Sequence, residues 1–263
     1  MATTALQAAP PARRRPFASI VGGIRQVADL MWLYWLHSPA GLIFMVFDAI
    51  LLPSMIFYFG ARLAHGDGAI LGRYVAGGIT TGLGVGATTK VGFAVLSDLQ
   101  LGRLALLRCL GVGKARYVGA LVATAVLFGL LSATVGLLVA RATGLTEIGV
   151  EALPALMLVA AIGGGAMGAM GAAIATASRD YATGQGLLSI ASLGLAFLSP
   201  VFYRLQDLPA LLQAAAYLSP FTHTAAMVQA VLAGRAMPLD HMAVAAVLCL
   251  CLNLLAARAM KWQ

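Results

Sequence analysis

Apolar positions along this chain fall in long unbroken runs rather than in the stripes of a water-soluble fold. Six runs stand out, at about 42–61, 74–96, 117–140, 154–177, 184–203 and 242–260. Each approaches the roughly 20 residues that a helix needs to cross the hydrocarbon core of a bilayer. Only the stretch ahead of them is striped. Over 17–37, Phe17, Ile20, Val21, Ile24, Val27, Ala28, Met31 and Trp35 recur at helical spacing, with Ser19, Arg25, Gln26 and Asp29 on much of the other side. That pattern predicts an amphipathic helix in the interface plane, with Trp32, Tyr34 and Trp35 at headgroup level. Residues 1–16 hold Pro10, Pro11 and Pro16 and are expected as a disordered cytoplasmic tail. Arg13, Arg14, Arg15 and Phe17 echo a twin-arginine signal, but Arg25 and Asp29 break the apolar stretch that should follow.

Between the fifth and sixth runs, residues 204–240 are apolar but punctuated by Pro209 and Pro220. The part from Pro220 to Gly234 is short for a crossing and predicts re-entrant or external helices. The expected fold is therefore an all-α integral membrane protein. It has six transmembrane helices, an N-terminal interfacial helix and short helices between spans five and six, all in one domain over 17–263. Composition agrees: 61% of residues are hydrophobic and 10% charged, with a mean hydropathy of +0.92. A soluble domain carries about 25% charged residues.

Charge sets the orientation. Six spans put both ends on one side, and that side collects eleven of the 17 Lys and Arg residues, five falling on the other. Asp67, Glu147, Glu151, Asp207 and Asp240 fall on the sparser side. The positive-inside rule then places both termini in the cytoplasm. The net charge of +8 is spent on topology, so nucleic acid is not an expected partner.

The stretch RCLGVGKARY at 108–117 invites comparison with a phosphate-binding loop. That loop needs G-x-x-x-x-G-K-[ST]. Counting back from Gly113, the first glycine position is Arg108, and Ala115 stands where the metal-binding hydroxyl should be. The residues instead belong to the longest cytoplasmic loop, 97–116. Asp98 is placed to favour a helix N-terminus, and Leu101, Leu104 and Leu107 or Arg108 repeat at helical spacing. Arg103 and Lys114 add charge, and Gly111 and Gly113 end the helix. The loop reads either as a short knob offered to a cytoplasmic partner or as a basic segment that only fixes topology.

Glycines at Gly78, Gly82 and Gly86, and small residues at Gly164, Gly168 and Ala172, have the spacing that lets helices approach closely in lipid. Packing within one subunit is the plainer use, and a subunit interface the sharper one. Asp48 and Lys90 are the full charges deep within spans, each near 10 Å in from the cytoplasmic side at 1.5 Å per residue. They are expected to pair or line one vestibule, or else to sit independently near the interface. Cys109, Cys249 and Cys251, and His37, His65, His223 and His241, show no disulfide or metal-ligand spacing. No catalytic set emerges and no metal is expected.

Residues 198–234, LSPVFYRLQDLPALLQAAAYLSPFTHTAAMVQAVLAG, carry a more specific pattern. A small-Pro turn with aromatics is followed by an acidic residue before Leu-Pro, a leucine-rich short helix and a Pro-polar turn. Pro200, Phe202, Tyr203, Leu208, Pro209, Leu218, Pro220 and Thr222 make it resemble the signature region of ABC type-2 exporter permeases. Asp98, Gly102, Leu104 and Leu107 likewise resemble the family's segment after its second span, although Leu110-Gly111 stand where a proline is common. The resemblance implies the membrane half of an exporter in the cytoplasmic membrane. Two copies would pair among membrane lipids, with two cytoplasmic ABC ATPase subunits carrying ATP and Mg and no cofactor on this chain. It implies an ATPase contact through Asp98, Leu101, Gly102, Arg103, Leu104, Leu107, Arg108 and Lys114. It also implies an outer gate at Pro200, Phe202, Tyr203, Pro209 and Pro220. A drug-like molecule, a lipid or a lipid-linked glycan would each suit. The alternatives are a membrane-embedded lipid-modifying enzyme and an ATP-independent carrier.

Overall fold

The computed structural model describes Asp29 and residues 39–146, 149–200 and 205–260, and every regular element among them is helical. The tail, most of the expected interfacial helix, Phe202 and Tyr203 lie outside the described residues, as does the side chain of Asp48. The helices are α1 (Pro39–Ala64), α2 (Gly68–Gln100), α3 (Arg103–Cys109), α4 (Lys114–Ala142), α5 (Leu153–Ala177), α6 (Tyr181–Leu198), α7 (Ala210–Tyr217), α8 (Pro220–Leu232) and α9 (Leu239–Ala259). Five of them, α2, α4, α5, α6 and α9, are long and apolar enough to cross a membrane; the continuously described apolar part of α1, Ala49–Ala64, is shorter.

Local chemistry sets the ends. Asp67 accepts from the Ala69 and Ile70 amides and starts α2 ahead of Arg73, earlier than hydropathy suggests. With 33 residues, α2 is about 50 Å long and outruns a hydrocarbon core of roughly 30 Å. Pro154 sits in the first turn of α5, where a missing N–H costs nothing. Ser199-Pro200 stops α6 at Leu198, short of the 203 read from the apolar run.

The bundle is built around α2 and α5. In its most apolar stretch α2 is 78% buried, whereas α9 is 11% buried. Small residues make the centre possible. A side chain at Gly171 would strike the Thr88 carbonyl of α2, and the Cα atoms of Gly129 on α4 and Gly164 on α5 face each other across a similarly tight contact. Gly78, Gly82 and Gly86 accommodate Phe57 and Pro53 of α1 and Phe128 of α4. The small-residue spacings thus serve packing within the subunit, where van der Waals contact holds helices together in the absence of a hydrophobic drive. The Thr88 hydroxyl donates to the Met167 carbonyl at 3.1 Å, adding a polar tie between α2 and α5.

Candidate functional site

At one end of the bundle the chain turns from α2 through α3 into α4. Gly102 (φ +66°) and Gly111 (φ +76°) take the left-handed conformations on either side of α3, which side chains other than glycine rarely adopt. Asp98 belongs to the last turn of α2, not to the start of α3; the cap position before α3 is Gly102. The expectation that Asp98 favours an α3 N-terminus is therefore corrected, because α2 continues two residues beyond it. Its carboxylate is only 1% exposed. The Tyr117 hydroxyl of α4, itself buried, donates to Oδ2 at 2.8 Å, and Arg103 Nη1 of α3 lies 3.5 Å from Oδ1. One carboxylate thus joins three helices, as a buried charge requires partners. Leu104 is buried beneath α3 and Leu107 half-buried, so Asp98 and Leu104 brace the turn from within. Its outer surface is apolar: Leu101, Leu106 and Leu110 are each more than half exposed. The Arg103 side chain is 53% exposed and Arg108 is exposed beside them.

At the other end, Pro209 precedes α7 and Pro220 opens α8, with the Ser219 hydroxyl accepting from the Phe221 amide at 3.2 Å. Phe221 is fully buried against Gly84 and Met167, 16 residues into α2 and 14 into α5. The last turn of α8 lies with Gly68, Gly72 and Arg73 at the start of α2. α8 therefore rises from mid-bundle to the end where α2 begins, which is a re-entrant path. Gln229 Nε2 donates to the Pro200 carbonyl at 3.3 Å and fastens α8 to the end of α6. Lys90 is half-buried on α2, and its pairing with Asp48 falls outside the described residues.

The family model described as ABC-2 family transporter protein matches residues 74–258, most of the chain and both of these ends. The chain belongs to the ABC-2 transporter family. It is thus a permease of an ABC transporter, a transport membrane subunit of a kind that generally works with an ATPase partner. No curated protein matches it.

Two features of this ABC-2 permease were not legible in the sequence: what Lys114, expected at the ATPase contact, bonds to, and a cavity near that bond. Lys114 Nζ donates to the Met260 carbonyl at 2.9 Å, so its charge satisfies the end of α9, where a cation suits the helix dipole. Near Met260, a cavity of about 510 Å³ opens between the end of α2 and the α5–α6 turn, where Arg179 and Asp180 line it. Asp180 caps α6, accepting from the Thr183 amide at 2.9 Å and the Thr183 hydroxyl at 2.8 Å. The amide, then the hydroxyl, hold its carboxyl below the usual range. Leu106 and Leu110 are two of the three exposed ridge leucines, whereas helical spacing singles out Leu101, Leu104 and Leu107. A seven-residue helix has too few turns to reveal which face is buried. Among the described residues no group of three or more His, Cys, Asp and Glu is placed to hold a metal.

Proposed function

We propose that this permease is the membrane half of an ATP-driven exporter, moving an apolar or amphipathic substrate outward across the cytoplasmic membrane. Two copies pair, and two cytoplasmic ATPase subunits, which carry the ATP and Mg, dock on α3 and the 17–37 segment. α1 is the first of six spans and both termini are cytoplasmic. The observation that carries the reading is the ridge of Leu101, Leu106 and Leu110, flanked by Arg103 and Arg108, on a turn held by buried Asp98. Leucines this exposed beyond a membrane helix suit a partner with an apolar pocket and an acidic rim. A braced turn transmits a push that a mobile loop would absorb.

The α7–α8 hairpin caps the outer exit, and Asp48 and Lys90 line the path or pair along it. A largely apolar cavity of about 280 Å³ between α1, α2 and α6, lined by Met55, Ile56, Phe59, Tyr74 and Phe197 with Thr81 as a polar member, supports a substrate with an apolar portion such as a lipid, a lipid-linked glycan or a drug-like molecule. The open apolar faces of α1 and α6 beside it, Phe47 and Met55 on one and Ile190 and Phe197 on the other, suit the second copy.

The test is co-purification with the ATPase in lipid nanodiscs. Leu106→Asp combined with Leu110→Asp should weaken the complex at least about tenfold, the scale of losing a central interface contact. The unfolding temperature of the permease should not move. Unchanged complex formation and full substrate-stimulated hydrolysis in the double variant would overturn the reading.

A further inference from the structure

His223 on α8 and His241 on α9 lie 18 residues apart with no metal-ligand spacing, but the fold brings their Nδ1 atoms to 2.9 Å. The rings are tilted by 52° with centroids 5.1 Å apart, so the contact is edgewise rather than stacked. His223 Nε2 lies 2.8 Å from the Tyr217 carbonyl. A carbonyl only accepts, so that nitrogen carries a proton. In the neutral ring Nδ1 of His223 is then bare, and His241 Nδ1–H is the donor between them. These proton positions follow from the hydrogen-bond network. They leave His241 Nε2 as the open nitrogen, 3.9 Å from Asp240 Oδ2. The His241 side chain is 24% exposed and Asp240 79% exposed, so this nitrogen lies toward the surface, whereas His223 is buried.

We propose that the two histidines form a one-proton lock that ties α8 to α9 and tightens when a proton is taken at His241 Nε2. With that proton in place, the existing bond to His223 becomes charge-assisted, and such bonds are shorter and roughly twice as strong. The proton stands opposite Asp240. Charging both rings would set two N–H groups and two cations against each other, and shifting the single proton across the bond onto His223 would place the cation at the buried ring. Burial opposes both outcomes and holds His223 below the usual imidazole range. Among the described residues, α9 brings Asp240 to the pair and α4, which packs on α9, carries Arg141 in its last turn, while the other elements packed on α8 bring no charge to it. α2 from Val75 to Thr89 and α5 have no ionisable side chain, α6 has only Tyr181 at its far end, and α7 has only the exposed phenol of Tyr217. Arg73 and Arg235 line a separate cavity at the last turn of α8. Histidine is the side chain suited to change charge between pH 5 and 8, so acidification on the Asp240 side fastens the re-entrant helix whose Phe221 fills the centre of the bundle.

The lock needs the hairpin geometry alone, and its failure would leave the ATPase docking untouched. The decisive experiment is ¹⁵N NMR of histidine-labelled full-length permease in nanodiscs from pH 8 to 5.5. His223 should remain the Nε2–H tautomer throughout, while His241 passes from Nδ1–H to the doubly protonated ring. Amide exchange across 220–232, corrected for its intrinsic pH dependence, should slow about threefold over the same range. His241→Gln and His223→Gln should each abolish that response. Titration of His223 in place of His241, or a pH response that survives in His241→Gln, would overturn the proposal. So would saturable displacement of both Nδ1 resonances by micromolar Zn²⁺, which would make the pair a metal site.

Discussion

The two ends of the bundle handle polar groups in opposite ways. At the α3 end one ionised group, Asp98, is buried so that leucines and arginines can be displayed. At the α8 end the helix itself is buried, and its longer polar side chains find neighbours, Gln229 the Pro200 carbonyl and His223 both Tyr217 and His241, while the buried Thr222 hydroxyl has none. The first arrangement keeps a surface rigid while leaving it open to a partner. The second keeps a short helix inside the bundle without leaving its ends orphaned, the condition for non-spanning backbone at membrane depth. Rigidity is thus aimed outward at one end and inward at the other.

If that contrast holds, the largest loss of stability belongs to the α8 end. Phe221→Ala empties a fully buried site against Gly84 and Met167 and should cost about 3–5 kcal/mol, measured by thermal unfolding in nanodiscs. At the α3 end, Asp98→Ala strands the buried Tyr117 hydroxyl and frees Arg103, and should cost about 2 kcal/mol. Tyr117→Phe, which keeps the ring, should cost about 1 kcal/mol. A result in the reverse order would make the α3 brace, not the α8 wedge, the stiffer part. Lys114→Met should cost less than 1 kcal/mol and show itself as faster amide exchange in the last turn of α9, since one half-buried bond to Met260 is lost.

The same contrast explains what was legible in the sequence. Apolar runs fixed α5 almost to the residue, because Pro154 and Ser178 punctuate it sharply. α2 began six residues earlier than its apolar run, because the Asp67 cap outweighs the polarity of Arg73. The re-entrant path was legible from Pro209, Pro220 and a length too short to cross. Sidedness was not. Seven residues make too few turns to show which face of α3 is buried, so spacing favours Leu104 and Leu107 over Leu106 and Leu110, and no proline or glycine directly before Asp98 marks whether α2 stops there or runs on past it. The histidine pair joins residues 18 apart across two helices, and only the angle between α8 and α9 brings them together.

The smallest expected effect lies in the turn beside the α3 end, and it gives the comparison a pH axis. Asp180 is fully exposed and accepts from the Thr183 amide and hydroxyl, which hold its carboxyl below the ordinary Asp value of 3.8. A carboxyl lowered on folding releases its proton more readily in the folded chain. Its contribution is therefore complete above the ordinary value and lost as pH falls through the lower folded one. Below pH 3.8 the α6 N-terminus should loosen, seen as faster amide exchange at Thr183 and Gly184 after correction for intrinsic rate. Asp180→Ala should already be loose at pH 5 and change little over that window. The histidine lock runs the other way: taking up a proton tightens it. A single acid titration should therefore tighten α8 first and loosen the start of α6 afterwards. Loosening of both segments together would mean that the two ends are not independently held.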